Sequence, residues 1–301
     1  MTDHDADGAS VVGVIGGSGQ TGRAVIDAVA TRGVASRVLS RNEVDGPWAR
    51  CDLNDDPETI ADALGGINSL YVIPPRLHPR EDLLAAKVFR AAEIAGVERV
   101  VYHSVMHPSS SDVPHHSRKA RAEERLRSTD LRWTILQPNT YAQNYLRRLR
   151  ERNGQLELLC PWRVAAPPLA PVDLADLAEA AATALTEEGL LFGTFELAGP
   201  ELLTHEAVAA ACAAVWQRSV VPVDHHHSEI VGPDRLRATS DSYAYLAHYN
   251  DQGMPGSPWT LASLLRRTPT TFAEVVRRDM PNPPHIPTLL DDQDPRPERS
   301  R

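Results

Sequence analysis

The sequence predicts an α/β fold, a doubly wound parallel sheet with a smaller, partly helical C-terminal lobe. Three observations carry that expectation. Short apolar segments alternate with segments of helical periodicity through the first 150 residues. The apolar segments have no polar face, as befits strands covered by helices on both sides. Beyond residue 150, proline-rich loops and separated helical stretches replace the alternation.

The elements follow in order. Residues 11–16 (VVGVIG) are a short apolar run ending in glycine. Ala24, Val25, Ala28 and Val29 then recur at helical spacing within 20–32. Residues 36–40 (SRVLS) read as a second strand and 57–64 as a helix. The run 67–73 (INSLYVI) is a strand stopped by Pro74 and Pro75. Residues 80–95 have an Ala/Leu-rich helical pattern, closed by Gly96. Next come strand 98–104 (ERVVYHS), helix 115–128 and strand 131–137 (LRWTILQ), which Pro138 stops. At least five strand–helix units result, joined by right-handed crossovers.

The second half is loop-rich at first, with Pro161, Pro167, Pro168 and Pro171 close together. Helices are expected at 173–187 and 204–217, with a short strand near 193–197 between them. Small helices are expected over 237–279. The expected organisation is a dinucleotide-binding core over 1–150 and a smaller substrate or lid lobe, with late elements of the core, over 151–280. A proline-rich, charged tail over 281–301 is expected to be disordered.

Composition excludes several functions. The 301 residues are 42% hydrophobic, enough for one large core. A net charge of -9 supplies no electrostatic footprint for nucleic acid. Cys51, Cys160 and Cys212 are widely spaced, with no C-x-x-C pair, so neither a disulfide framework nor a structural zinc site is expected. None of the three has a neighbouring histidine at a recognisable spacing, which argues against a thiol nucleophile. His225, His226 and His227 are read as a solvated loop, because adjacent histidines cannot all face one ion on a regular element. No metal is expected. The polar, acidic start (MTDHDADGAS) does not read as a signal peptide, and no run of about 18 apolar residues occurs. A cytoplasmic protein is the expectation.

The chemistry begins at Gly16-Gly17-Ser18-Gly19-Gln20-Thr21-Gly22. The run follows a strand and opens an amphipathic helix, the context in which such glycines bind a dinucleotide. Gly16 permits a tight turn, Gly19 lets backbone N–H groups approach a pyrophosphate, and Gly22 lets helix and strand pack closely. The helix start supplies free N–H donors and a partial positive charge; Ser18, Gln20 and Thr21 complete the loop. This is the Rossmann arrangement. NAD binders place an acidic residue after the second strand, for the ribose 2′-OH. Here that place reads Ser40-Arg41-Asn42. A guanidinium fork and a hydroxyl suit a 2′-phosphate, so NADP is favoured over NAD.

Several segments resemble the NmrA-like family, atypical relatives of the short-chain dehydrogenases. They are GGSGQTG (16–22), LYVIPP (70–75), VVYHSV (100–105), HHSRKARAEERLRSTDLRWTILQPNTYAQN (115–144), PVDLADLAEAAATAL (171–185), FELAGPELLTHEAVAAA (195–211) and RRTPTTFAEVVR (266–277). The resemblance implies that Asp52 and Leu53 flank the adenine, while Ile73 and Pro74 line the nicotinamide ribose. Asp52 reads equally well as a turn or cap residue. Short-chain dehydrogenases pair Tyr-x-x-x-Lys; this chain has His115 and Lys119 at that spacing, on one helical face. Lys119, one of only two lysines, is expected to contact cofactor and serve catalysis. His115 can donate a proton near neutral pH, or simply start the helix after Pro114. Tyr141 is the alternative donor.

Ser104, at the carboxyl end of a strand, is expected either to bond a substrate carbonyl or ribose, or to be a buried serine bonded to backbone. Met106, His107, Asn139, Tyr141, Asn144, Tyr145 and Trp162 are expected on loops at that same edge, with Asn139 also at the cofactor. The first functional expectation is an NADPH-dependent oxidoreductase delivering hydride to a carbonyl, quinone or enone of a small apolar metabolite. A non-catalytic NAD(P) redox sensor and a redox-neutral isomerase or cyclase are the alternatives. The expected partner is a small-molecule substrate, with no nucleic acid and no membrane; a homodimer stays open.

Overall fold

The computed structural model of the protein describes residues 10–224 and 240–284. Strand β1 (Val11–Ile15) leads into helix α1 (Gln20–Ala30), followed by β2 (Ala35–Ser40), β3 (Trp48–Arg50), α2 (Pro57–Ala63) and β4 (Ser69–Val72). Then come α3 (Glu81–Ala95), β5 (Arg99–His103), α4 (Pro114–Arg127) and β6 (Arg132–Pro138). The second half adds α5 (Ala142–Leu146), β7 (Leu149–Arg152), β8 (Gln155–Cys160), α6 (Leu174–Thr186) and β9 (Gly193–Leu197). It ends with α7 (His205–Trp216), β10 (Val220–Asp224), α8 (Ser240–Gln252), α9 (Trp259–Leu265) and α10 (Phe272–Asp279).

Seven strands form one parallel sheet in the order β3-β2-β1-β4-β5-β6-β9. Helices cover both faces, which is why strands such as β4 are buried at every residue. On one face, α2, α3 and α4 pack around Ile60, Val88, Phe89 and Leu126. On the other, α1, α6 and α9 pack around Val25, Leu177 and Leu261. The strand order reverses direction between β1 and β4. A crevice opens there, beyond the carboxyl ends of those strands. Gly96 ends α3 with a left-handed φ of 70°, a conformation that glycine adopts without a Cβ penalty.

The segment 193–197 is the seventh strand of the large sheet, paired with β6, and α6 packs on α1. These are the late core elements. Two features were not anticipated. The short edge strand β3 follows a turn after β2, and its Trp48 Nε1 donates to Ser40. A second, three-stranded sheet (β10-β8-β7) lies inside the stretch read as loops and helices. Its β7–β8 hairpin turns at Asn153 and Gly154, with φ of 50° and 78°. Asn-Gly between two strands is a strong hairpin signal, because a two-residue turn with both φ positive matches the strand twist. The third sheet strand, β10, comes 64 residues later in the register (Val220 pairs with Leu156) and carries no local signal.

A separate core joins this small sheet to α5, α7, α8 and α10, around Tyr145, Trp162, Trp216, Tyr249 and Phe272. Among the described residues, no helix is long and apolar enough to cross a membrane. Residues 281–284 are the only described part of the expected tail, and the triple histidine lies outside the described residues.

Candidate active site

The site starts from the glycine loop. Gly16 has φ of +76° and its would-be Cβ lies 3.0 Å from the Ile73 carbonyl oxygen, so the turn requires glycine. A Cβ on Gly22 would fall onto the Gly16 carbonyl oxygen and 2.5 Å from Gly17 Cα. A Cβ on Gly19 would meet only the Gly16 carbonyl oxygen, at 3.3 Å, and its outer side is free. Gly19 is the N-cap of α1 and brings no side-chain cap. Among the described residues, the N–H groups of Gln20, Thr21 and Gly22 have no acceptor. Three free donors at the start of an eleven-residue helix make an anion cradle. Arg23, one residue past the motif, folds back and donates to the Ser18 carbonyl oxygen at 2.6 and 2.9 Å. It adds positive charge to the loop, and sequence reasoning passed over it.

Next to the loop is a cleft of about 540 Å³. Gly16, Ser18, Ser40, Arg41, Asp52, Leu53 and Ile73 all line it, so the fold gathers half of the expected cofactor residues there. Pro74 is buried, and its neighbour Pro75 lines the cleft instead. Asp52 accepts two bonds from Asn54, at 3.0 Å each, in an Asx turn. The Asn54 backbone N–H in particular holds the Asp52 carboxyl below the usual carboxylate range. Asp52 is thus both a turn residue and part of the wall. Ser40 Oγ donates to the Asn42 carbonyl oxygen at 2.5 Å and accepts from Trp48. Arg41 has no hydrogen bond or ion pair among the described residues, which leaves its guanidinium available to a ligand.

His115 and Lys119 do share one face of α4, and both are buried. They meet a residue that the sequence did not single out, Glu81 at the start of α3. Its carboxylate is fully buried, with Oε2 2.8 Å from His115 Nδ1 and Oε1 3.4 Å from Lys119 Nζ. Burial pushes the Glu81 pKa up, but the Lys119 and His115 side chains outweigh it and hold the carboxyl below its ordinary value. Lys119 Nζ also donates to the His103 carbonyl oxygen at 2.8 Å and sits 5.0 Å from the centre of the Tyr102 ring. Neither Lys119 nor His115 lines the 540 Å³ cleft.

A second constellation joins the glycine loop to the middle of the sheet. Thr21 Oγ1 donates to the Tyr141 hydroxyl at 3.2 Å. That hydroxyl is 2.9 Å from His103 Nε2, and His103 Nδ1 is 2.8 Å from the Tyr71 hydroxyl. Tyr71 lies on β4, His103 ends β5, and Tyr141 caps α5 beyond β6, so adjacent carboxyl ends supply all three. Burial pulls the His103 pKa down to about 3, with Lys119 adding to the effect. Burial pushes the Tyr141 pKa up to about 12, against the Thr21 hydrogen bond.

The remaining expected residues are committed elsewhere. Ser104 is buried, and its hydroxyl donates to the buried carboxylate of Glu123, which Gln137 also holds at 2.8 and 3.0 Å. Asn139 donates to the Met254 carbonyl oxygen at 2.9 Å and accepts from the Thr140 backbone, so it ties the core to the lobe. Met106, Tyr145 and Trp162 belong to the lobe core. His107 lines a separate cleft of about 420 Å³ with Asp112 and His248. All three cysteines are buried and free, and burial raises each thiol pKa, to about 11 at Cys51 and about 12 at the other two. No group of histidine, cysteine and acidic residues suited to a metal ion occurs among the described residues.

Comparison with known proteins agrees with this picture. The model of the NmrA-like family matches residues 8–230. An NAD(P)H azoreductase of Xenophilus azovorans is 27% identical over 219 residues, covering 69% of this chain and 74% of that protein. Quinone oxidoreductase 2 of Escherichia coli (strain K12) is 24% identical over 281 residues, covering 88% of this chain and 97% of its own. The crystal structure of Citrobacter sp. triphenylmethane reductase complexed with NADP(H) superposes with a TM-score of 0.74 at 22% identity. It covers 89% of this chain and 99% of that one.

Proposed function

The chain belongs to the NmrA-like family, and on that premise we propose that it is an NADPH-dependent oxidoreductase acting on a quinone-like carbonyl or enone of a small, apolar metabolite. The observation that carries the reading is that Arg41, without an ion pair among the described residues, lines one cleft with Gly16 and Ser18, on the loop that leads into the uncapped start of α1. Two anionic groups are wanted there, one at each place, and a dinucleotide with a 2′-phosphate has both. The names of the azoreductase and of the quinone oxidoreductase among its relatives support the substrate class.

In this reading, the N–H groups of Gln20, Thr21 and Gly22 hold the pyrophosphate, with Ser18 beside them. Gly16 and Gly19 leave room for it. Arg41 and Ser40 take the 2′-phosphate, the Ser40 hydroxyl turning away from Asn42 to do so. Asp52 and Leu53 flank the adenine, and Ile73 borders the nicotinamide ribose with Pro74 behind it. Bound there, NADPH supplies a hydride and so reduces the substrate by two electrons. Lys119 braces the end of β5 through the His103 carbonyl oxygen, and Glu81 neutralises its charge. Tyr141 and His115 are the side chains that can handle the accompanying proton.

The test is direct. The purified full chain is mixed with NADPH or NADH and offered 2-methyl-1,4-naphthoquinone or an azo dye, and loss of the reduced nicotinamide absorbance is followed. Faster turnover with NADPH supports the reading. Tight NADPH binding without consumption across quinone, azo, ketone and enone probes overturns it in favour of a sensor.

A further inference from the structure

Tyr71, His103, Tyr141 and Thr21 form one hydrogen-bonded line, and its protons can be assigned from what each group needs. Tyr71 is wholly buried, and His103 is the one partner of its hydroxyl among the described residues. A buried O–H without an acceptor loses about 1–3 kcal/mol, whereas a spare lone pair on an oxygen is tolerated more readily. Tyr71 therefore donates to His103 Nδ1. The His103 ring is neutral, because burial pulls its pKa to about 3, and it carries a single proton. With Nδ1 accepting, that proton sits on Nε2 and points at the Tyr141 oxygen. Thr21 donates to the same oxygen. Tyr141 thus receives two hydrogen bonds, and its own proton meets no further acceptor among the described residues. Tyr141 as a residue is half-buried, beside the glycine loop.

We propose that Tyr141 gives the proton to the reduced substrate, and that His103, locked as its Nε2–H tautomer by Tyr71, is the residue that positions Tyr141 for it. The proposal rests on the reductase reading. A substrate that has accepted a hydride from NADPH carries a negative oxygen. The Tyr141 O–H bond breaks, its electron pair stays on the phenol oxygen, and the proton forms the new O–H bond of the product. The Thr21 and His103 donors hold the resulting phenolate, and water on the exposed side returns a proton. The inner end cannot resupply it, because burial raises the Tyr71 pKa well above 10 and a phenolate there would be stranded. His115 is the weaker donor. Burial pulls its pKa below the ordinary value, and the one proton of the neutral ring is turned to Glu81 at 2.8 Å. The charged groups facing the line are Lys119 at His103 and Arg76 at Tyr141.

Two measurements on the full chain test this. The first is ¹⁵N NMR of histidine-labelled protein without ligand. At neutral pH His103 should show a protonated Nε2 and a bare Nδ1, and Tyr71→Phe should shift the Nδ1 resonance. A protonated Nδ1 overturns the assignment. The second is turnover of NADPH with 2-methyl-1,4-naphthoquinone. Tyr141→Phe should lower kcat by about 10²–10⁴, the usual contribution of a general acid, with NADPH affinity nearly unchanged. His103→Gln keeps an N–H near the Nε2 position and should retain more of kcat than His103→Leu. Full kcat in Tyr141→Phe overturns the present proposal alone. A wild-type chain that never oxidises NADPH overturns the reductase reading, and the proposal falls with it.

Discussion

Gly22 packs against Gly16 so closely that a Cβ on Gly22 would overlap the Gly16 carbonyl oxygen and lie 2.5 Å from Gly17 Cα. The contact is backbone on backbone, so nothing flexible can yield. Gly22→Ala should therefore destabilise the fold by about 1–3 kcal/mol, as overpacking does. It should also spoil NADPH binding, because the loop must shift. Gly19→Val is the informative contrast. Its Cβ meets one oxygen at 3.3 Å and then points outward, so stability should hold while the ligand's space is filled. Urea denaturation beside calorimetric NADPH titration separates the two effects. Unchanged NADPH affinity in Gly19→Val would rule out the cradle.

Arg41 lines the cleft and has no ion-pair partner among the described residues. Arg41→Ala removes a charge-assisted bond to a 2′-phosphate, a loss on the order of 1.5–3 kcal/mol, or roughly 10- to 150-fold in affinity. NADH lacks that phosphate and should bind almost as before. Titration of both dinucleotides into both proteins checks this. An equal loss for NADH and NADPH would mean that Arg41 does not read the phosphate.

Lys119→Met removes the cationic partner of the fully buried carboxylate of Glu81 and leaves it with His115 alone. Breaking a buried pair from one side costs about 3–5 kcal/mol. Adding Glu81→Gln removes the stranded charge and should restore part of that loss. Urea midpoints of the two single variants and the double variant form a cycle. An additive result would show that the two side chains do not act as a pair.

Acid should weaken the fold early. Burial holds His103 at about 3 and His116 at about 4, both below the ordinary histidine value near 6.5. These folded values are depressed, so the unfolded chain takes up the protons first. Stability contributed by the neutral rings is complete above about 6.5 and falls as pH drops towards 4 and 3. Each histidine steepens the fall by something on the order of 1 kcal/mol per pH unit. Urea midpoints across that window should show the slope, and His116→Gln should flatten it. A flat profile between neutrality and pH 5 would contradict the neutral, buried assignment.

Arg278 binds the buried Asp173 through two nitrogens at 2.7 and 2.8 Å, and so ties α10 to the start of α6. Arg278→Met should lower stability by about 1–3 kcal/mol, the penalty of a deprived buried acceptor. Hydrogen exchange should rise first in α10. Protection that stays unchanged there would show that the ion pair does not anchor the helix.

Most of the large sheet was legible because its determinants are local. A covered strand shows as a short apolar run, and a helix shows as a repeat of three to four residues. Gly96, Pro74 and Pro138 then mark ends within a residue or two. The small sheet was less legible. Its hairpin had a local signal at Asn153-Gly154, whereas β10 pairs with β8 from a distance and without one. The cradle of N–H groups was readable for the same reason as the sheet, since Gly16 to Gly22 both builds and lines it. His115 and Lys119 share a helix face as their spacing requires, but spacing could not disclose Glu81, which comes from α3 and occupies both.

By itself, then, the sequence determined the doubly wound core, the glycine loop at the start of α1 and the basic residue after β2. Each depends on residues a few positions apart along the backbone. Only the tertiary structure decided which side chains could handle a proton. Tyr71 and His103 are 32 residues apart, and His103 and Tyr141 are 38 apart. They meet because β4, β5 and β6 are neighbours in a parallel sheet, whose carboxyl ends bring distant segments to one edge. Their hydrogen-bond roles follow from burial, which no single position in the chain encodes.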